Sequence, residues 1–138
     1  LDVNVLIALL DADHTHHERA RGWFAEHASE GWASCAITQN GCIRIMSNIS
    51  YPNALPIRTI VARLAGACRH KIHEFWACDL SILADASIDA EKIHGPRQLT
   101  DLYLLALAVQ HGGRFVSFDA AVPITAVRNA AAHHLVVL

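Results

Sequence analysis

The sequence has few of the features that announce a membrane, secreted or cofactor-binding protein. No apolar run approaches the length that crosses a bilayer. No basic-then-apolar leader opens the chain, so nothing in it points to secretion. Cysteines stand only at positions 35, 42, 68 and 78, and none forms a CxxC pair. That spacing disfavours a zinc site and reads as reduced thiols in a cytoplasmic protein. The histidines include no HExxH or similar helical ligand pair, and no GxGxxG or Walker motif is present. Lysine occurs only as Lys71 and Lys92, and the net charge is −2 with histidine neutral. Bulk charge therefore does not announce a nucleic-acid partner, and any basic surface must be local.

What is present is a globular chain. Its 138 residues fit one domain, taken as 1–138, and 53% of them are hydrophobic. The first nine residues, Leu1-Asp2-Val3-Asn4-Val5-Leu6-Ile7-Ala8-Leu9, are almost wholly apolar. Such a run suits a strand buried on both faces, and Asp2 then marks the carboxyl end of a central strand, where open α/β sheets bind ligands. A strand cannot consist of Leu1 alone, so a few preceding residues are expected to be missing. Val5 to Leu10 follows as a short helix. Thr15 and Glu18 fit a capping box for a helix reaching about Ala28, with Trp23 and Phe24 in the core.

Trp32 to Ile37 reads as a second strand, and Thr38 as the N-cap of a helix from Gln39 to about Met46. Ile57, Ile60, Val61, Leu64, Ala65 and Cys68 share one face of a helix ending near His70, beside the densest basic region of the chain. His73 to Trp76 is a candidate strand, and Leu80 to Ala84 and Asp89 to His94 are candidate short helices. Thr100 is expected to cap a buried helix from Asp101 to His111 that Gly112-Gly113 ends. Arg114 to Phe118 reads as a strand closed by Asp119. A short helix near Ile124 to Ala130 and a last strand, Leu135 to Leu138, complete the chain. Alternating strands and helices predict an α/β domain of three layers with a central, mainly parallel sheet flanked by helices.

Asp2 and Asp119 each end an apolar strand, and Asp101 begins a helix. In a parallel sheet these positions converge on one edge. Carboxylates gathered without a counter-charge repel, and a divalent cation relieves the repulsion. An all-oxygen set suits Mg²⁺ or Mn²⁺ better than zinc, and such ions serve phosphodiester hydrolysis. An aspartyl-nucleophile phosphatase wants Asp-x-Asp where Asp2-Val3-Asn4 stands. A phosphoacceptor receiver wants a late-strand lysine that this chain lacks.

Four segments carry a resemblance. They are Leu1 to Leu6, Ile37-Thr38-Gln39-Asn40-Gly41-Cys42-Ile43-Arg44-Ile45, Arg97 to Ala108, and Gly112 to Asp119. In this order they resemble the PIN-domain ribonucleases, specifically the VapC-type toxins of toxin–antitoxin pairs. The resemblance implies a PIN-like fold and a Mg²⁺- or Mn²⁺-dependent endoribonuclease. It further implies a homodimer acting on RNA, held inactive by a cognate VapB-type antitoxin. It carries the metal-site acids onto Asp2, Asp101 and Asp119, and supporting polar roles onto Asn4 and Thr38. Relatives place a further acid where this chain has the neutral Gln39. His16, Arg44 and Arg97 match recurrent positions, and Arg44 and Arg97 are candidates for RNA contact. The departure at Gln39 motivates an alternative, a catalytically weak PIN domain that binds RNA or a protein partner.

Overall fold

The computed structural model describes residues 1–83 and 87–138. The chain divides into two compact units: Leu1 with Val3–Ala77, and Asp2 with Cys78–Leu138. Both mix helices with parallel strands, which places the protein in the α/β class.

In the first unit the helices are α1 (Val3–Leu10), α2 (His17–His27), α3 (Ala36–Met46) and α4 (Ile57–Cys68), and the strands are β1 (Trp32–Cys35) and β2 (His73–Trp76). The two strands pair in parallel, Trp32 opposite His73 through Cys35 opposite Trp76. Leu6 and Ile7 of α1, Cys42 and Met46 of α3, and Ile60 of α4 form one buried cluster. The opening apolar run is therefore mostly helical. Only Leu1 and Asp2 precede α1, and Leu1 donates its main-chain N–H to the Ala33 carbonyl at 3.1 Å. A helix buried on most sides and a buried strand have the same continuous apolar sequence, so periodicity alone does not separate them. The i,i+4 geometry also seats α1 against α3 closely. A Cβ built on Gly41 would lie 2.7 Å from a methyl carbon of Val3, so glycine is what permits this approach.

Three expected caps take other forms. The Thr15–Glu18 box does not form; α2 begins at His17, and the His16 N–H donates to the His14 ring at 3.1 Å. Helix α3 starts at Ala36, which puts Thr38 inside its first turn, where its hydroxyl accepts from the Cys35 N–H at 3.0 Å and donates to the Cys35 carbonyl at 3.1 Å. Of the residues of α2 only Ala20 is fully buried. Trp23 is half-buried and stacks on His27, while Phe24 meets Trp32 edge-on.

A polar staple also sits in this unit. Asp11, 7% exposed, follows α1. Its carboxylate accepts from the Tyr51 hydroxyl, from the Asn53 amide at 3.1 and 3.2 Å, and from the Asp13 N–H at 3.1 Å. Burial pushes the Asp11 carboxyl upward, but the bonds from Tyr51, Asn53 and Asp13 outweigh it and hold the group below the usual carboxylate range.

The second unit is built on α5 (Leu99–Gln110) and the strands β3 (Phe115–Ser117) and β4 (Leu135–Val137). The strands are parallel, with Phe115 opposite Leu135 and Ser117 opposite Val137. Every residue from Leu102 to Ala108 is buried, as a helix apolar on all sides requires. The helix starts at Leu99, so Thr100 lies in its first turn and is not the N-cap. It ends at Gln110; Gly112 follows with a φ of 63°, the left-handed conformation that glycine tolerates, and the Gly113 N–H returns to the Ala108 carbonyl at 2.8 Å. Asp89 accepts from the Glu91 N–H at the head of a 3-10 turn, Ala90–Lys92, and Ile124–Ala126 forms a second such turn. These replace the short helices expected at Asp89 to His94 and Ile124 to Ala130. The candidate helix Leu80 to Ala84 runs partly outside the described residues. Among the described residues, no helix is long and apolar enough to cross a membrane.

Candidate active site

The second unit holds all three expected acids. Asp2 lies beside β3, its N–H donating to the Val116 carbonyl at 2.9 Å. Its side chain is 6% exposed, and Oδ2 accepts from the Ser117 hydroxyl at 3.1 Å. Ser117, itself buried, then accepts from the Asp119 N–H at 3.1 Å. One serine hydroxyl thus ties Asp2 to the main chain of Asp119. Asp119 is exposed, and its Oδ1 accepts from the Ala121 N–H at 2.7 Å. Sequence reasoning passed over Ser117; the signal was a hydroxyl in an otherwise apolar strand, two residues ahead of the acid.

Asp101 stands in the first turn of α5. Burial pushes its carboxyl up to about 6, and the negative charges of Asp2 and Asp119 push the same way. Asp2 and Asp119 are thus each within electrostatic reach of Asp101. They are not drawn into a closed cage: among the described residues, no three His, Cys, Asp or Glu side chains are gathered to hold a metal ion. Mg²⁺ keeps several waters and is held through one or two carboxylates rather than an all-protein cage. An open, all-oxygen, mutually repelling set therefore fits a hydrated divalent cation.

The remaining expected residues lie elsewhere in the chain. Arg97, exposed, sits in the 3-10 turn Pro96–Gln98 that leads into α5. The other five belong to the first unit. Asn4 is exposed in the first turn of α1, and Thr38 is buried with its hydroxyl committed to Cys35. Gln39 is half-buried and donates its amide N–H to the Ser34 hydroxyl at 2.9 Å. Arg44 is exposed on α3, and with Asn48, Ser50 and Tyr51 it borders a shallow pocket. His16 is exposed just ahead of α2. Cys35 and Cys42 are buried, and burial pushes the Cys42 thiol up to about 11.

The PIN domain family model matches residues 1–127. Ribonuclease VapC44 of Mycobacterium tuberculosis is 52% identical over 138 residues, covering 100% of this chain and 97% of the relative. Ribonuclease VapC39 of the same species is 42% identical over 122 residues, 88% of each chain. Ribonuclease VapC38 is 43% identical over 128 residues, 88% of this chain and 85% of the relative. A family match over most of the chain and relatives alike along nearly all of their length lead to one conclusion: the chain belongs to the PIN-domain family, in its VapC branch.

Proposed function

We infer that this protein is a divalent-metal-dependent endoribonuclease and the toxin of a toxin–antitoxin pair. The observation that carries the reading is Asp101, whose carboxyl is raised to about 6 by burial and by its neighbours Asp2 and Asp119. A half-buried acid beside like charges is the environment that a bound cation relieves. Asp2, Asp101 and Asp119 would hold Mg²⁺ or Mn²⁺. Bound there, the cation supplies a polarised water and charge stabilisation for hydrolysis of an RNA phosphodiester. Ser117 fixes the Asp2 carboxylate, and the Ala121 N–H orients that of Asp119. Arg97 and Arg44, both exposed, would meet phosphates, a role that positions RNA without reading its sequence.

The reading takes residues 1–138 as one domain, supported by a single family match that runs from residue 1 to residue 127. The partners are RNA, a VapB-type antitoxin and a second copy of the chain, and the compartment is the cytoplasm. The VapC relatives support the antitoxin and RNA parts of this reading. A second reading, a catalytically weak PIN domain that binds RNA or protein, is favoured by one observation: Gln39 is neutral and its amide is engaged by Ser34.

An RNA cleavage assay with and without chelator separates the two. The first reading expects cleavage that needs Mg²⁺ or Mn²⁺, is abolished in Asp101→Asn, and falls at limiting metal in Ser117→Ala. Undiminished cleavage by Asp101→Asn, or in excess chelator, refutes the site. RNA binding without cleavage at saturating metal favours the second reading.

A further inference from the structure

Charge is unevenly spread along the first unit. From Gly31 to His73 the chain holds no Asp or Glu, yet it carries Arg44, Arg58, Arg63, Arg69 and Lys71. All five are exposed, and none forms a salt bridge among the described residues. The last four have no part in the nuclease site.

Helix geometry sorts these four. Arg69 follows the last residue of α4 in helical conformation. It lies about three turns beyond Arg58, on nearly the same side of the helix and about 16 Å along the axis. Ala62 and Ala65 fall on the stripe between them and Gly66 beside it, all exposed. A Cβ added to Gly66 would meet nothing within 4 Å. Small residues between two cations let an extended anion lie close against the helix. Lys71 continues the stripe into the turn before β2, while Arg63 falls on a different flank of α4.

Strand β2 adds an aromatic ring. Trp32 stands opposite His73, and Ser34 opposite Phe75, so these four side chains share one face of the strand pair. The end of α4 lies on that face: the Ser34 hydroxyl is 2.8 Å from Nε2 of His73 and 3.9 Å from the Cys68 sulfur. Phe75 is 53% exposed there. Its ring therefore adjoins the end of α4 that leads into Arg69 and Lys71. Glu74, the acid that ends the acid-free run, falls on the opposite face.

We propose that Arg58, Arg69, Lys71 and Phe75 form a docking surface for single-stranded RNA, the cations meeting phosphates and the ring stacking on an unpaired base. The proposal rests on the nuclease reading for its ligand, and it adds a grip in the first unit to the acids of the second. Such a grip tolerates any sequence, because every base has a flat face to stack. The ring decides between polyanions. An acidic peptide satisfies the cations but offers Phe75 no base, and duplex RNA keeps its bases stacked within the helix.

The test is fluorescence anisotropy of a labelled single-stranded RNA, titrated with the full chain in chelator across a salt series. Chelator removes cleavage, so binding alone is read. Affinity should fall with salt, and Arg58→Ala, Arg69→Ala and Lys71→Ala should each flatten the log–log slope by about 0.7. Arg63→Ala, the same loss of charge off the stripe, should flatten it by less than half as much. Phe75→Leu should weaken binding about tenfold at an unchanged slope, while Phe75→Trp retains it. A duplex RNA should bind about tenfold more weakly than the single strand, and a polyglutamate peptide should compete poorly. Slopes unmoved by the stripe variants, an equal loss in Arg63→Ala, parent-like binding by Phe75→Leu, or duplex or polyglutamate binding as tight as the single strand each overturns the surface. Should Phe75→Leu fail to fold, Phe75→Trp decides: the added indole must be quenched by RNA, read against the parent. The two readings fail separately. Binding with these properties but no cleavage at saturating Mg²⁺ or Mn²⁺ keeps the surface and sinks the nuclease, whereas metal-dependent cleavage with binding indifferent to these variants sinks the surface alone.

Discussion

Asp101→Asn should make the metal-free protein more stable while removing its chemistry. The parent carboxyl titrates at about 6 in the folded chain against an ordinary 3.8. A raised acid binds its proton more tightly when folded, so stability declines as pH climbs from the lower value to the higher. At about 1.36 kcal/mol per unit, the ceiling on this penalty is about 3 kcal/mol. Asp101 is only half-buried, and solvent screening reduces that to about 1 kcal/mol. Asparagine keeps the size of the side chain and carries no charge at any pH. The variant should thus gain about 1 kcal/mol above pH 6 or so, a rise in Tm of roughly 3–6 °C for a chain of this size. The gain should shrink through the interval and vanish below the unfolded value. Thermal melts in chelator across pH measure it. Excess Mn²⁺ should reverse the ranking, because a ligand at 100 times its Kd stabilises the parent by about 2.7 kcal/mol. An Asn variant no more stable than the parent at neutral pH in chelator, or a difference that does not change with pH, would refute the like-charge account of the site.

Two further predictions concern the first unit. Asp11 titrates below its ordinary value when folded, so its contribution to stability is present above 3.8 and is lost as pH falls through the folded value. Tyr51→Phe removes the leading bond to that carboxylate. It should cost about 1–2 kcal/mol at neutral pH by denaturant titration and less in acid; a pH-independent cost would argue that the ring, not the hydrogen bond, matters. Gly41→Ala should destabilise by about 1 kcal/mol despite alanine's better helix propensity, because the added carbon would meet Val3 at 2.7 Å. Combining it with Val3→Ala should cost less than the two single changes together. Strict additivity in that double-mutant cycle would remove the steric explanation.

The chain order of the acids, the parallel strands and the two long apolar-faced helices were legible in the sequence by itself. Asp119 ends a short apolar strand, and Asp101 opens a helix whose unbroken apolar run from Leu102 to Ala108 leaves it only an interior to occupy. Such features depend on local preference and on a side chain's affinity for water, both of which are written residue by residue. The secondary structure of residues 3–10 was not legible. Their apolar residues satisfy a buried strand and a buried helix equally, and what surrounds the segment makes the choice. Thr15, Thr38 and Thr100 are all good caps by type, yet none is an N-cap, because helix starts are set by where the preceding segment delivers the chain.

Only the tertiary structure decided the polar pairings. Asp2 meets Ser117, Asp11 meets Tyr51 and Asn53, and Ser34 meets His73 and Gln39. Each residue is ordinary in its own neighbourhood. The partner of a buried polar group is whichever donor or acceptor the fold carries to it within hydrogen-bond reach, and that distance is a property of the packed chain, not of the spacing along it.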